Sequence, residues 1–346
     1  MERAFCDLPA HGPDKAEGVI IWNHGIHGTL EQWRHPVPPV FRLLQSRGWD
    51  VITIKRHHQG DAVANPLDRA VQRTLEEAKT QTKLGYRKIV AAGQSFGGYI
   101  SLDAVDTSAD FFAVVAMAPG LRPHGASGRL DAAVTDRILQ SAKTRRIALV
   151  FPKDDAMFGN VVRGESANQI LARRGLPYLL FDETTDLTGH GGGTGGRFAL
   201  RYGLCLAEFL AAPDVPGGRF TCPTSDEWTV VRELLLRTNP PKVVKDGAEL
   251  PVEIRSLTGW WYGLLGETLV LVGLVDGGGR LAYRWLTSRE GAATVRASVK
   301  DGRVRGVLPN RATLEVTPTA GGTTLSWTSS DGRILTTTLA RGRDAE

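Results

Sequence analysis

The sequence predicts an α/β protein in which a doubly wound, mostly parallel sheet is followed by a smaller all-β domain, an antiparallel barrel. Three observations lead to this fold class. Short apolar runs alternate with segments of helical spacing up to about residue 212. A glycine-rich turn with a serine at its centre joins one apolar run to a helix. The last part of the chain instead alternates polar and apolar residues between tight-turn signals.

The composition is that of an ordinary globular protein. Of the 346 residues, 42% are hydrophobic and 23% are charged, so a sizeable core is expected. The net charge of +5 is spread along the chain without a dense basic run, which indicates a solvated surface and no nucleic-acid partner. No apolar stretch approaches the roughly 18 residues that a membrane-spanning helix needs, so no membrane span is expected.

The apolar runs are predicted as buried parallel strands, because they are too short for helices. Segments with helical spacing lie between them, and right-handed crossovers then put helices on both faces of the sheet. In such a sheet the functional groups gather at the carboxyl ends of the strands. The predicted strands are 19–24, 49–55, 89–92, 111–120, 146–151 and 177–181, and the predicted helices are 40–47, 68–84, 99–105, 129–143, 164–175 and 197–210.

A G-x-S-x-G pattern lies between the third predicted strand and its helix, as Gly93-Gln94-Ser95-Phe96-Gly97. A sharp turn at this point holds the serine in a strained backbone conformation and lifts its hydroxyl clear of the sheet. Glycines are needed on both sides, because a side chain there would collide with the adjacent strand or helix. The pattern predicts a nucleophile elbow with Ser95 as the nucleophile.

On these residues the chain resembles the α/β-hydrolase superfamily over roughly residues 15–212, and most of all its compact dienelactone-hydrolase-like or peptidase-like members. The resemblance implies a serine hydrolase whose triad follows the order serine, acid, histidine, and it implies no cofactor. Many relatives insert a large cap domain after the fourth strand. The short loop Gly120–Gly128 leaves no room for one.

The order of the triad implies that the base is His190 and the acid Asp155. Of the two histidines after the serine, His124 precedes the expected position of the acid, whereas His190 follows the sixth strand in a glycine-rich loop. The acid is expected just past the fifth strand, where Asp154 and Asp155 are adjacent. The family's usual offset favours Asp155, and Asp154 stays the alternative. The acidic residues nearest to the histidine in sequence are Asp182, Glu183 and Asp186.

The resemblance also implies an oxyanion hole formed by the backbone N–H groups of Ile26 and Phe96. Ile26 belongs to the stretch His24–Gly28, which is similar to the family's H-G-x-x-G element, and His24 is then a structural residue that fixes the loop. A metal site is disfavoured because the candidate ligands His24, His27, His57 and His58 have no obvious carboxylate or cysteine partners. Residues that could line a pocket are Trp22, Trp33, His57, His58 and His124.

The chain is predicted to divide into a catalytic domain, 1–212, a linker with one helix, 213–250, and a barrel-like accessory domain, 251–346. Alternation around residue 297 followed by Asp301-Gly302 is typical of a hairpin. Gly259-Trp260 resembles the opening of lipocalin-like barrels. The accessory domain is expected to cover hydrophobic surface, to mediate homo-oligomerisation, or to bind a ligand.

The chain has three cysteines, which cannot all pair within one chain. Cys205 and Cys222 flank a proline- and glycine-rich segment, and the sequence leaves open whether they form a disulfide or stay as free thiols. The N-terminal residues as written form neither a signal peptide nor a transit peptide. We therefore expect a soluble protein, cytoplasmic or exported.

The leading hypothesis is a serine hydrolase that cleaves a small acyl substrate, an ester, a thioester or an amide, through an acyl-enzyme on Ser95. Two alternatives stay open. The hydrolase half is a degenerate scaffold and the barrel binds a lipid or a glycan, or the same triad serves an acyltransferase or a perhydrolase.

Overall fold

The computed structural model describes residues 9–26, 36–56, 67–121, 128–158, 161–223, 226–237, 240–287, 289–320 and 322–343. The chain forms two compact units. The first consists of Met1–Thr194 and Tyr202–Ser225, and the second of Gly195–Arg201 and Asp226–Glu346. The predicted fold class is confirmed, because one unit is a parallel sheet with helices and the other contains a closed antiparallel barrel.

The first unit is built on a seven-stranded sheet with the order β2-β1-β3-β4-β5-β6-β7, in which every pairing is parallel. The first five strands are buried along almost their whole length, which is why they appear in the sequence as apolar runs. The strands are β1 (Gly18–Asn23), β2 (Trp49–Thr53), β3 (Ile89–Gln94), β4 (Ala113–Met117), β5 (Arg146–Val150), β6 (Pro177–Phe181) and β7 (Gly218–Arg219).

Each predicted helix is present, with limits that differ from the predicted ones by a few residues. The helices are α1 (Pro39–Ser46), α2 (Leu67–Leu84), α3 (Phe96–Thr107), α4 (Gly128–Ser141), α5 (Gly164–Arg174), α6 (Gly196–Ala211) and, from the predicted linker, α7 (Glu227–Leu235). The helix α7 belongs to the second unit. The domain limits at 212 and 250 stay a prediction.

The last strand at one edge of the sheet, β7, was not predicted from the sequence. β7 is two residues long and pairs with the start of β6, Gly218 with Pro177 and Arg219 with Tyr178. A disulfide joins Cys205 in α6 to Cys222, just after β7, with Cα atoms 5.1 Å apart. A crosslink that closes a loop of this length stabilises a fold by about 3 kcal/mol. The bond therefore fixes this edge strand against α6.

The second unit contains a closed barrel in which strands that are consecutive in the chain are antiparallel neighbours, and the last strand pairs with the first. Apolar side chains of alternate residues face the interior and form a separate core. The turn Asp301-Gly302 has two consecutive positive φ angles, 51° and 70°, as a two-residue hairpin requires. The strands are β8 (Trp260–Leu265), β9 (Thr268–Val275), β10 (Arg280–Leu286), β11 (Glu290–Lys300), β12 (Arg303–Val307), β13 (Thr313–Thr319), β14 (Gly322–Thr328) and β15 (Ile334–Arg341).

Candidate active site

Ser95 lies in a sharp turn between β3 and α3. Its backbone has φ 56° and ψ −124°, a region that a residue with a side chain seldom adopts. Three backbone hydrogen bonds hold it there: its N–H donates to the carbonyl of Met117 at 2.9 Å, and its own carbonyl accepts from Tyr99 at 3.0 Å and Gly120 at 3.2 Å. These hydrogen bonds therefore hold Ser95 at the junction between the strand and the helix in a backbone conformation with a positive φ.

The glycines of the turn allow a close approach of backbone to backbone. A Cβ on Gly93 would lie 2.1 Å from the carbonyl oxygen of Gly97, and a Cβ on Gly97 would lie 1.9 Å from that of Asn23. No side chain fits at either position, because neighbouring backbone cannot move aside. The spacing of glycines around Ser95 is thus required by the packing of α3 against β1 and β3.

Asp155 and His190 form a hydrogen-bonded pair. The imidazole Nδ1 lies 3.1 and 3.0 Å from the two carboxylate oxygens, and it is the donor because a carboxylate only accepts. The same carboxylate accepts the N–H of Met157 at 3.1 Å, and the residue is 8% exposed. Asp154, the alternative acid, is exposed and has a positive φ of 56°. The structure therefore brings Asp155, and not its neighbour, to the histidine.

Backbone hydrogen bonds fix the loop that carries His190. Lys153 donates to the carbonyl of Leu187 at 3.0 Å and accepts from Gly189 at 2.8 Å, so the loop runs along the segment that leads to the acid. Gly192 packs against this segment, since a Cβ there would lie 2.9 Å from the carbonyl oxygen of Thr188 and 3.0 Å from Pro152. The glycine-rich loop is thus closely packed, and the Pro-Lys step before the acid is part of its support.

Gln94 connects the histidine loop to the elbow. Its side-chain amide donates to the carbonyl of His190 at 3.2 Å. This places the backbone of His190 beside the residue that precedes Ser95. The hydrogen bonds of the described residues do not include one between the serine hydroxyl and the imidazole.

Phe158 packs against the imidazole and was not identified from the sequence. Its ring meets that of His190 edge-on, with centroids 5.0 Å apart. The buried guanidinium of Arg163 lies 5.5 Å from the Phe158 ring and 4.7 Å from that of Phe151, and it donates to the hydroxyl of Thr135 at 2.7 Å. The sequence carries no signature for this contact, because the short 3-10 turn Ala156–Phe158 directs the phenylalanine ring to the imidazole.

The predicted oxyanion donors lie on two elements that meet at Ser95. Phe96 begins α3, so its N–H is one of the first-turn amides that have no acceptor within the helix. Gly25, which precedes Ile26, lies beside the elbow: a Cβ there would be 3.5 Å from the Cβ of Ser95 and 2.6 Å from the Gln94 side-chain oxygen. The segment after β1 therefore runs directly alongside the serine.

His24 is buried and forms part of the support of this segment. Its Nδ1 lies 2.6 Å from the carbonyl oxygen of Gly25 and 3.0 Å from Nη2 of Arg56. Arg56 is also buried, donates to the Gly25 carbonyl at 3.4 Å, and has its guanidinium carbon 5.5 Å from the centre of the Phe96 ring. No feature of the sequence pointed to Arg56, a cation that contacts both predicted oxyanion segments.

The acidic residues nearest to His190 in sequence have other partners. Burial raises the pKa of Asp182, but hydrogen bonds from Thr184 and Arg219 outweigh it, so this pKa lies below its ordinary value. Glu183 accepts from the N–H groups of Arg163 and Gly164 at the start of α5, and Asp186 accepts from the hydroxyl of Tyr202 at 2.7 Å.

The remaining predicted pocket and metal positions either belong to the core or lie outside the described residues. Trp22 is 2% exposed and packs against Phe41, with ring centroids 4.9 Å apart, so it belongs to the core. Among the described residues no cluster of histidine, cysteine and acidic side chains could hold a metal ion, and no helix has the length and apolar composition of a membrane span. The positions that lie outside the described residues are His27, Trp33, His57, His58, His124 and most of the loop Gly120–Gly128.

No protein-family model and no curated protein matches the chain. Among solved structures, an esterase from Pyrococcus furiosus is 14% identical, with a TM-score of 0.44 over 60% of this chain and 91% of its own. A putative dienelactone hydrolase from Klebsiella pneumoniae is 14% identical, with a TM-score of 0.39 over 56% of this chain and 88% of its own. A puromycin-hydrolyzing peptidase from Mycobacterium tuberculosis is 16% identical, with a TM-score of 0.44 over 61% of this chain and 37% of its own.

The first unit has an α/β-hydrolase fold. This assignment rests on features of the chain itself: the strand order β2-β1-β3-β4-β5-β6-β7, the helices between the strands, and the strained residue between β3 and α3. The polar side chains described above lie at or just after the carboxyl ends of these strands, where sites form in parallel sheets.

Proposed function

We propose that the chain is a serine hydrolase that cleaves an ester, a thioester or an amide through an acyl-enzyme on Ser95. The observation that carries this proposal is the hydrogen bond between Asp155 and His190 on a loop that Gln94 ties to the elbow. A serine hydroxyl becomes a nucleophile only when a base takes its proton, and the base needs a third group to hold its tautomer. The serine, histidine and aspartate of this chain supply the residue types that these roles require.

Each group has a defined role in the proposed mechanism. With Nδ1–H donated to Asp155, Nε2 of His190 accepts the hydroxyl proton while the Ser95 oxygen attacks the substrate carbonyl. The N–H groups of Ile26 and Phe96 stabilise the resulting oxyanion. The imidazolium then gives its proton to the leaving group, and water, activated by the same imidazole, releases the acid. The serine–histidine hydrogen bond forms with bound substrate, since such bonds are often long in ligand-free enzymes.

Labelling and substitution of Ser95 test the proposal together. A fluorophosphonate should modify this residue, as located by mass spectrometry, and Ser95→Ala should lower kcat/KM on simple acyl substrates by about 10⁴–10⁶-fold. Ser108→Ala is the matched control, because Ser108 is only half-buried just after α3 and its hydroxyl donates only to the neighbouring Asp110. Near wild-type activity in Ser95→Ala would overturn the proposal.

The alternatives predict different results in the same assays. A degenerate scaffold would fold but would take no label at Ser95. An acyltransferase or perhydrolase would take the label, but would pass the acyl group to an alcohol, an amine or peroxide in preference to water, which product analysis detects. A panel of esters and amides with increasing acyl length then defines the substrate class, because specificity resides in loop shapes.

A further inference from the structure

The connectivity of the barrel puts four hairpins at one end. Because each strand is the neighbour of the next, successive hairpins alternate between the two ends of the barrel. The hairpins β8–β9, β10–β11, β12–β13 and β14–β15 therefore share one end, which we name the even end because each of these hairpins starts from an even-numbered strand. The hairpins β9–β10, β11–β12 and β13–β14 share the other.

The end opposite the even end is covered. A 3-10 segment, Val252–Leu257, directly precedes the barrel, and its residues Ile254 and Leu257 are fully buried members of the barrel core. A Cβ on Gly302, in the β11–β12 hairpin, would lie 3.8 Å from Glu253. This segment therefore fills the barrel from that side.

A cavity of about 460 Å³ lies at the even end. Residues from all four of its hairpins and from the adjoining strand ends line it, among them Tyr283, Trp285, Ala293, Leu308, Trp327 and Leu335. Small-molecule sites in proteins typically have volumes of about 300–1,000 Å³. The space is therefore large enough for a ligand of ordinary size.

The cavity is open to solvent at this end. Leu335 lies four residues before Leu339 on β15, so both side chains face the interior, yet Leu335 is 40% exposed while Leu339 is 3% exposed. An inward-facing leucine gains that exposure only where the interior meets water. An apolar ligand that entered here would cover it.

The lining of the cavity is aromatic and uncharged. The rings of Tyr283 and Trp285 stack with centroids 5.1 Å apart, and the indole covers Gly291 on the next strand, where a Cβ would lie 2.1 Å from the ring. The described lining residues include no acidic or basic side chain. Burial raises the pKa of Tyr283, so its phenol stays neutral. The other polar side chains of the lining are threonines, Asn310 and the tryptophans with their indole N–H groups.

We propose that the barrel binds an uncharged, largely apolar small molecule with an aromatic ring, which enters through the even end and packs against Tyr283, Trp285 and Trp327. Desolvating a charge in a lining without countercharges would be costly, whereas a planar apolar ring gains burial and stacking. This site lies wholly within the second unit and is independent of the proposed hydrolase chemistry.

Titration of the full chain with the uncharged fluorophore N-phenyl-1-naphthylamine tests the proposal. Ala293→Phe fills the cavity from its β11 wall and should raise the Kd at least tenfold, while Thr294→Phe, on the exposed face of the same strand, should bind as the wild type does. Wild-type protein that does not bind the probe, or Ala293→Phe that binds it unchanged, would refute the site.

Two further measurements keep the test decisive. Leu335→Asp puts a charge at the mouth, at a partly exposed position that tolerates it, and should also weaken binding if Ala293→Phe does not fold. Competition separates the ligand classes: 2-methylnaphthalene should displace the probe at least tenfold better than 2-naphthoate, which has the same ring system with a carboxylate. Equal displacement would contradict an uncharged site.

Discussion

The two units place their chemically important side chains in different parts of their strands. In the sheet unit, Ser95, Asp155 and His190 follow strand ends, and hydrogen bonds to the backbone hold these residues or the loop that carries them. In the barrel, the cavity residues lie largely within the strands or at hairpins, and the register of neighbouring strands, such as Tyr283 with Ala293, sets their positions. One unit orients polar groups and the other shapes an apolar space.

This difference explains why the proposed catalytic residues are easier to find in the sequence than the proposed binding cavity. A serine, an acid and a histidine next to glycines are unusual at the ends of apolar runs, so they stand out. A tryptophan that lines a cavity has the same alternating pattern as one that fills a core. Only the coordinates distinguish them.

The largest expected effect separates the two aspartates of the sheet unit. Asp155→Asn should lower kcat by about 10⁴-fold, because an amide no longer holds the imidazole in the productive tautomer. Asp154→Asn is the matched control and should stay within a few-fold of the wild type, since its side chain is exposed. Steady-state kinetics on one ester measures both variants. Equal losses of kcat in the two variants would contradict the proposal that Asp155, and not Asp154, is the acid that holds His190.

Substitutions of two adjacent glycines test how strongly backbone packing positions the loop of His190. Gly192→Ala should cost about 1–3 kcal/mol of unfolding free energy and reduce activity, because its Cβ would press on Thr188 and Pro152. Gly191→Ala should be nearly neutral, since the nearest atom to its Cβ is 3.7 Å away. Denaturant titration and kinetics provide the two readouts. If both variants behaved alike, the loop would be looser than described.

The smallest expected effect lies on the outside of the barrel. Arg303 pairs with Glu315 at 3.0 Å, but the arginine side chain is 57% exposed. Arg303→Ala should change the free energy of unfolding by less than about 1 kcal/mol and leave probe binding unchanged, because water screens such pairs. Thermal unfolding checks the first expectation and the fluorescence titration the second. A large loss of stability or of probe binding would show that ion pairs on the surface of the barrel contribute as much as the charged contacts of the sheet unit.

The strands β1–β6 and the sharp turn at Ser95 were predictable from periodicity and glycine spacing, and the family's usual offset pointed to Asp155, which contacts His190. Phe158, Arg163 and Arg56 were not predictable, because their contacts depend on turns and crossings that bring distant segments together. The strand β7 was missed because two residues carry no periodicity. The cavity was missed because its lining alternates in the same way as a packed core.

Closure of the barrel has a consequence for self-association, which the sequence suggested for this domain. The pairing of β15 with β8, Ala340 with Tyr262 and Arg341 with Trp261, completes the ring of hydrogen bonds. Where neighbouring strands are paired, the ring offers no row of unsatisfied amides and carbonyls to a second chain. Copies of the protein that meet through this paired part of the wall would recognise one another by the complementarity of outward-facing side chains.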